Sequence, residues 1–494
     1  MTDPTMPVST PERGSGPVLR PVRRVLVANR GEIAVRIVRA CHGMGIDAVV
    51  AVSEADRDGL AVRMAGRHVV VGPAPAAQSY LRIDRMVAAA IETGCDAVHP
   101  GYGFLSERAE FAQACADAGL VFIGPSPHAI ACMGDKITAA RMAAAAGVPR
   151  VPGTDAVPDA QTALAAAEHI GYPVLVKATA GGGGRGMRLA RSPDELPAAF
   201  ASASAEALAA FGNGTVYLEK LIEQARHIEI QILGDMHGNL VHLGERECST
   251  QRRHQKLIEE APSPALDAAT RARMGACAIA LARRVGYHSA GTVEFVVDAR
   301  VGRFYFLEMN TRIQVEHPVT EMVTGIDLVA EQMRIASGAP LQFSQGDIQL
   351  RGHAIECRIN AEDPERNFLP RPGVVTAWSV PIGEGIRCDS HCSAGDTITP
   401  NYDSLLAKLI VHAPTRAEAI TRMRQALSEL RVEGPATTAP FHHDVLGHPD
   451  FNDGQVTTRW VEQIFMPARQ AAIKAARTAR ASPPPQQPLH QETP

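Results

Sequence analysis

One stretch constrains the fold most. Phe304-Tyr305-Phe306-Leu307 places four large apolar residues between Arg303 and Glu308, the pattern of a central strand. The apolar run then gives way to alternation. On an extended chain Glu308, Asn310, Arg312, Gln314 and Glu316 fall on one face, and Met309, Ile313 and Val315 on the other. Buried charges must be paired or bound to a metal, so such a row predicts a site. A solvated edge strand is the alternative, but the apolar lead-in argues against it. Glu308 and Asn310 are hard oxygen donors two residues apart, suited to a magnesium ion that also holds nucleotide phosphates. Arg312 offers a fixed fork for a planar oxyanion such as bicarbonate or phosphate. Glu316 is placed to act as a base beside it. A neighbouring strand, Gly291 to Val297, brings a further acid, Glu294.

The rest of the chain reads as an α/β protein. Val25 to Ala28 is a short buried strand, Asn29 to Glu32 turns into a helix, and Val49 to Val52 is the next strand. This βαβ opening implies a parallel sheet with right-handed crossovers. It lacks Gly-x-Gly-x-x-Gly, so no dinucleotide site is indicated. His99 to Glu107, with its glycines and proline, is a shaped loop. Met133 to Lys136 begins a helix that runs through Ala139 to Ala146 and stops at Gly147-Val148-Pro149. Pro173 to Ala178 is a strand carrying Lys177. Gly181 to Gly184 follow it, and Met187 to Leu189 forms the returning strand. Glycines such as Gly183 and Gly184 let backbone N–H groups approach phosphate oxygens, which predicts a phosphate-covering lid. Val216 to Ile222 is a further strand, and His227 to Ile232 alternates as a half-exposed strand does. Glu245 to Lys256 is polar for a segment between strands, with Arg252, Arg253, His254 and Lys256 close together. In an arbitrary protein this would be a solvated charged turn. Ala417 to Leu430 is an amphipathic helix.

Composition narrows the class. The net charge of −4 gives no nucleic-acid footprint, and no apolar run approaches membrane-spanning length. The nine cysteines show no Cys-x-x-Cys pair, which fits a reducing, cytoplasmic compartment. Met1 to Pro21 reads as a floppy leader without a signal-peptide core, and Ala481 to Pro494, rich in Pro and Gln, as disordered.

Two acids and an amide on neighbouring strands resemble the metal site of the ATP-grasp ligases. The run Glu308 to Glu321, Glu-Met-Asn-Thr-Arg-Ile-Gln-Val-Glu-His-Pro-Val-Thr-Glu, is similar to the signature of biotin carboxylase. Asn29 to Ala34, His99 to Glu107, Arg252 to Lys256 and Pro400 to Leu409 resemble the same family, so the likeness runs from about Arg23 to about Phe465. It implies a Rossmann-like N-terminal domain over 22–131, an ATP-grasp domain over 132–340 with its lid at about 150–222, and a mixed C-terminal domain over 341–466. A leader, 1–21, and a helical or disordered tail, 467–494, flank these.

The resemblance also implies roles. Lys136, Lys177, Gly183, Gly184, Met187, Glu219, Lys220, Ile222, His227, Gln251, His254, Glu294 and Glu308 match ATP contacts, with Glu219 to Ile222 as the adenine hinge. Glu294, Glu308 and Asn310 match ligands of Mg²⁺ or Mn²⁺. Lys256, Arg312, Gln314, Val315 and Glu316 match bicarbonate contacts, and Arg358 matches the arginine facing the biotin ureido oxygen. The family's pattern is broken at Arg108, where Asn is usual, at Ala180, where Gly is usual, and at Glu247 and Thr250.

The implied activity is ATP- and bicarbonate-dependent carboxylation of biotin through carboxyphosphate. It is the first half-reaction of an acyl-CoA carboxylase, with acetyl-CoA the expected acceptor and pyruvate or another acyl-CoA as alternatives. No biotinylation loop of the Ala-Met-Lys-Met kind is seen, which implies biotin on a separate carrier protein; the resemblance implies a carboxyltransferase partner and a homodimer. Another ATP-grasp ligase, or a non-catalytic nucleotide-binding protein, are the competing readings.

Overall fold

The computed structural model describes residues 20–179 and 187–481. The chain divides into two compact units, Met1–Glu247 with Ala261–Arg351, and Cys248–Glu260 with Gly352–Pro494. Among the described residues no helix is long and apolar enough to cross a membrane.

The first unit opens on the expected parallel sheet. Its strands are β1 (Arg24–Val27), β2 (Asp47–Ser53), β3 (His68–Gly72), β4 (Ala97–His99) and β5 (Val121–Phe122), in the order β3-β2-β1-β4-β5. All four neighbouring pairs of this sheet are parallel, as crossover helices demand. The first crossover, Gly31–Gly43, buries Ile33, Ile37 and Cys41 against Val25, Val27 and Val50. β4 ends at the fully buried His99, whose Nδ1 accepts the Gly101 N–H at 3.1 Å. Burial, then the nearby Arg36 charge, holds His99 down at about 3, so the ring is neutral. Asn29 donates to the carbonyls of Pro100 and Tyr102, both at 2.7 Å, and fixes the loop that leads to Glu107. Met133 and Gly134 close one helix, Pro127–Gly134, and Asp135 caps the next, Lys136–Ala145. The sequence had suggested a single start at Met133; the break falls at Asp135, where an acid caps N–H groups better than it continues a helix.

A three-stranded antiparallel sheet follows, β6 (Val174–Ala178), β7 (Met187–Ala190) and β8 (Val216–Lys220), in the order β7-β6-β8. Val174, Val176 and Leu218 pack against Ala163, Ala167 and Ala203 of two covering helices. The glycine run Gly181–Gly184 and Ala180 lie outside the described residues.

β9 (Ala225–Gly234) and β10 (Leu240–Arg252) are the next strands, and β10 turns at Arg253 and His254 into β11 (Gln255–Ala261). β12 (Ser289–Asp298) and β13 (Arg303–Asn310) complete an order β13-β12-β9-β10 within this unit. Two sequence expectations need correction. The polar segment from Glu245 to Lys256, read as lying between strands, is itself the end of one strand, a tight turn and the start of the next. And β9 is buried on both faces from Ile228 onward: Glu229 and Gln231 are fully buried. Alternation of polar and apolar residues signals two chemically different faces, and solvent is only one way to satisfy the polar one.

The second unit contains β11, β14 (His353–Asn360), β15 (Ile386–Ser390) and β16 (Leu405–Ala413), in the order β11-β14-β16-β15. Ile355, Cys357 and Ile359 alternate onto one face with Leu409 and Val411, and the helix Arg416–Glu429 covers them with Ala419, Met423 and Ala426. Thr415 and Glu418 form a capping box at its start. His442 is fully buried and its Nε2–H donates to the Arg358 carbonyl at 2.7 Å.

Burial lowers the His442 imidazole from 6.5 to about 4. Its folded value lies below the unfolded one, so the stability it contributes is present above about pH 6.5 and is lost as pH falls toward about pH 4. His442→Gln should therefore show a shallower fall of melting temperature across that window than the wild type. Parallel pH profiles would contradict this.

Candidate functional site

Register builds the site. Glu229 of β9 lies opposite Glu294 of β12, and Glu294 lies opposite Glu308 of β13. Directly opposed residues share a face, so three carboxylates stand in a row across three strands. A register shift follows Glu294, the kind of bulge that re-aims side chains beside active sites. Glu294 is buried. Its Oε1 accepts from Asn310 Nδ2 at 2.9 Å and from Gln314 Nε2 at 3.0 Å, and its Oε2 lies 2.8 Å from His227 Nε2. Donor atoms of His227, Glu229 and Glu294 all lie within 4.8 Å of one another. Glu308 is exposed near the end of β13. Dehydration, then the Glu294 and Glu107 charges, push its carboxyl above the usual range. Like charges opposed in this way fit a cation.

After Asn310 the chain does not continue extended. Thr311 to Glu316 bend, and the helix His317–Thr324 begins with Glu316 at its N-cap. The sequence had suggested a strand through Glu316; the helix start and the side-chain bonds below outweigh strand alternation. The polar groups still converge, because the bend folds them onto one another. Arg312 Nε donates to Glu107 Oε2 at 2.9 Å and its Nη2 to Asn310 Oδ1 at 3.1 Å. Its Nη1 donates to Gln314 Oε1 at 2.9 Å and to the Ile313 carbonyl at 3.1 Å. Glu107 also accepts the Thr311 N–H at 3.1 Å. Glu316 is buried and Val315 is half-buried. Arg36 anchors the same helix through Glu321 at 2.9 Å.

Sequence reasoning assigned no role to three members of this network. Glu107 lay inside a quoted loop, but nothing in that loop reveals its partner Arg312. Glu229 and Arg246 are visible only once β9, β10 and β12 are in register. The spacing of Glu229 from His227 was the one available signal.

On the three-stranded sheet Lys177 pairs with Glu219, and Met187 opens β7 directly opposite Lys177. Lys220 points its ammonium elsewhere, to the carbonyls of Gly171 and Tyr172 at 2.8 and 2.7 Å, so its side chain holds the turn before β6. Ile222 is half-buried just beyond β8, and Lys136 is exposed at the first position of its helix. Gly183 and Gly184 fall outside the described residues.

In the second unit Arg253 and His254 both adopt left-handed backbone, with φ of 48° and 64°. Arg253 N–H donates to Glu462 at 3.1 Å. Arg252 lies over the Phe368 ring at 4.4 Å and donates to Asn367 Oδ1 at 2.6 Å. Gln251 is buried and donates to the Cys248 carbonyl at 3.1 Å, while Lys256 is half-buried on β11. Arg358 Nε donates to the fully buried Glu259 at 2.6 Å.

Comparison with known proteins fits this geometry. Residues 21–130 match the biotin carboxylase N-terminal domain, 135–344 the carbamoyl-phosphate synthase L chain ATP-binding domain, and 356–463 the biotin carboxylase C-terminal domain. The biotin carboxylase of Nostoc is 55% identical over 442 residues, which cover 89% of this chain and 99% of the relative. A biotin carboxylase–β,γ-ATP complex from Campylobacter jejuni is 47% identical, with a TM-score of 0.84 over 89% of this chain and 98% of that one. The biotin carboxylase domain dimer of the Hydrogenobacter thermophilus 2-oxoglutarate carboxylase, in complex with MgADP, ADP and bicarbonate, is 49% identical. Its TM-score is 0.83 over 90% of this chain and 98% of that one. With a parallel N-terminal sheet, a three-stranded antiparallel sheet, and opposed acids beside a clamped arginine, the chain belongs to the biotin carboxylase family of ATP-dependent ligases.

Proposed function

We propose that the cluster around Glu294 and Arg312 activates bicarbonate with ATP, and that the carboxyl group passes to biotin borne on a separate carrier protein. The observation that carries this is the opposed pair Glu294 and Glu308 with Arg312 held beside it by Glu107, Asn310 and Gln314. Two acids facing each other suit a divalent cation, and a guanidinium fixed next to them suits a planar anion.

Glu294, Glu308 and Asn310 would hold Mg²⁺ or Mn²⁺. Asn310 Oδ1 keeps a second lone pair beyond its bond to Arg312. A divalent cation held there would offset the charge of the nucleotide phosphates. Lys177, Met187, Glu219, His227, Lys136, Gln251 and His254 are assigned to ATP by their match to the family, with Gly183, Gly184 and the Ile222 backbone. Lys220 belongs to this group through its main chain, since its ammonium is engaged with Gly171 and Tyr172.

Arg312, Lys256, Gln314 and the Val315 backbone bind bicarbonate, and Glu316 takes its proton. The resulting oxyanion attacks the γ-phosphorus of ATP, giving carboxyphosphate and ADP. Positioning and charge neutralisation supply most of the acceleration in such a transfer. Carboxyphosphate breaks into CO₂ and phosphate. Phosphate then takes the proton from the biotin ureido nitrogen. Arg358 stabilises the negative charge that moves onto the ureido oxygen, and the nitrogen captures CO₂.

The carrier and a carboxyltransferase are the partners of this reaction, and a homodimer is the assembly we assign. For the acceptor we assign acetyl-CoA, with pyruvate or another acyl-CoA as the alternatives. A domain of a 2-oxoglutarate carboxylase is also about half identical, so a reconstituted system supplied with each acceptor is the deciding measurement.

Incubation with MgATP, labelled bicarbonate and free biotin should place acid-labile label on biotin, with ADP release dependent on biotin. Label that appears without biotin, or none at all, would refute the reading. Arg312→Ala should lower turnover by about 100-fold or more while ADP affinity stays within about threefold. Glu107→Gln weakens one anchor of the same guanidinium, and turnover should fall by about tenfold with the melting temperature little changed. Wild-type rates in either variant would remove Arg312 from its assigned place.

A further inference from the structure

The row of carboxylates has a fourth member. Arg246 of β10 lies opposite Glu229 of β9, so four adjacent strands carry Arg246, Glu229, Glu294 and Glu308 in one line. Arg246 is fully buried. Its Nε donates to Glu229 Oε1 at 2.5 Å and its Nη1 to Gln231 Oε1 at 2.6 Å and Thr320 Oγ1 at 3.0 Å. Its Nη2 donates to Thr292 Oγ1 at 3.0 Å. The guanidinium thus ties together β9, β12 and the helix that Glu316 caps.

Glu229 is chemically a cation ligand in waiting. It is fully buried, directly opposite Glu294, and its carboxylate lies within 4.8 Å of donor atoms of His227 and Glu294. A third uncompensated acid there would change both the charge and the ligand count of the cation site. Charge count is the principal lever by which oxygen-ligand sites set affinity.

We propose that Arg246 is a charge-setting positioning residue: by pairing with Glu229 it limits the row to the two acids Glu294 and Glu308 for the divalent cation. The proposal rests on the assignment of the cation to those two acids. Arg246 touches neither substrate nor cation and acts through Glu229. Its effect is electrostatic, so removing it should strengthen cation binding, whereas a residue that served only the fold would weaken binding when lost.

The test is titration of the full-length protein with Mn²⁺ alone, reading free ion by electron paramagnetic resonance. Arg246→Gln should bind Mn²⁺ about tenfold more tightly, because one buried negative charge is released beside the site. Glu229→Gln leaves Arg246 uncompensated and should bind it about tenfold more weakly. The double variant, Glu229→Gln with Arg246→Gln, removes both charges and should return to within about threefold of wild type. Arg246→Lys keeps the charge but loses the fork, and should also stay within about threefold. Unchanged or weaker binding by folded Arg246→Gln would overturn the proposal. If that variant does not fold, a loss of about tenfold or more in the double variant or in Arg246→Lys would overturn it instead. Glu294→Gln separates this from the site assignment: undiminished Mn²⁺ affinity there would sink the placement of the cation itself.

Discussion

Electrostatic repulsion between Glu294 and Glu308 is the constraint around which the first unit is organised. They face each other on β12 and β13, and a sheet does not tolerate opposed like charges without compensation. Each neighbouring polar group answers that excess. His227, Asn310 and Gln314 converge on Glu294, and Arg312 sits one bond further out through Asn310 and Gln314. These bonds fix Glu294 in direction, and Glu308 stands exposed opposite it.

Rigidity at Arg312 has its own source. A long flexible side chain loses rotamer freedom when it is clamped, and that cost is met in the folded state by Glu107, Asn310, Gln314 and the Ile313 carbonyl. Glu107 stands at the end of the loop that follows β4. That loop is itself held by the neutral, buried His99 and by Asn29. The parallel sheet therefore contributes to the chemistry at a distance. Its edge of loop delivers a carboxylate that aims the arginine.

Much of this was legible in the sequence, and the reasons are physical. β13 was readable because Phe304 to Leu307 is apolar on both faces, and β12 because β-branched and aromatic residues dominate Thr292 to Val297. Glu308, Asn310 and Arg312 stood out because hard donors cluster at the end of an apolar strand. What the sequence could not supply was the partner across the sheet. Glu229 looked like a polar position on a half-exposed strand and Arg246 like part of a polar segment between strands, whereas both are fully buried and paired. The bend after Asn310 was also hidden, because alternation in a short polar run fits a strand and an irregular turn equally well. Lys220 stood out as a hinge residue by resemblance, but nothing in the sequence foretold that its ammonium holds the carbonyls of Gly171 and Tyr172.

The turn joining β10 to β11 carries a cost of a different sort. Arg253 and His254 both hold positive φ, a conformation that Asn and Gly accept far more readily than long or ring-bearing side chains. Each such residue stores on the order of 1–3 kcal/mol of backbone strain. A sequence chosen only for folding would put Asn-Gly there and gain stability. The chain instead spends it on two basic groups at a hairpin tip, so a programme of thermostabilisation that relaxed this corner would select for a sturdier and chemically poorer protein.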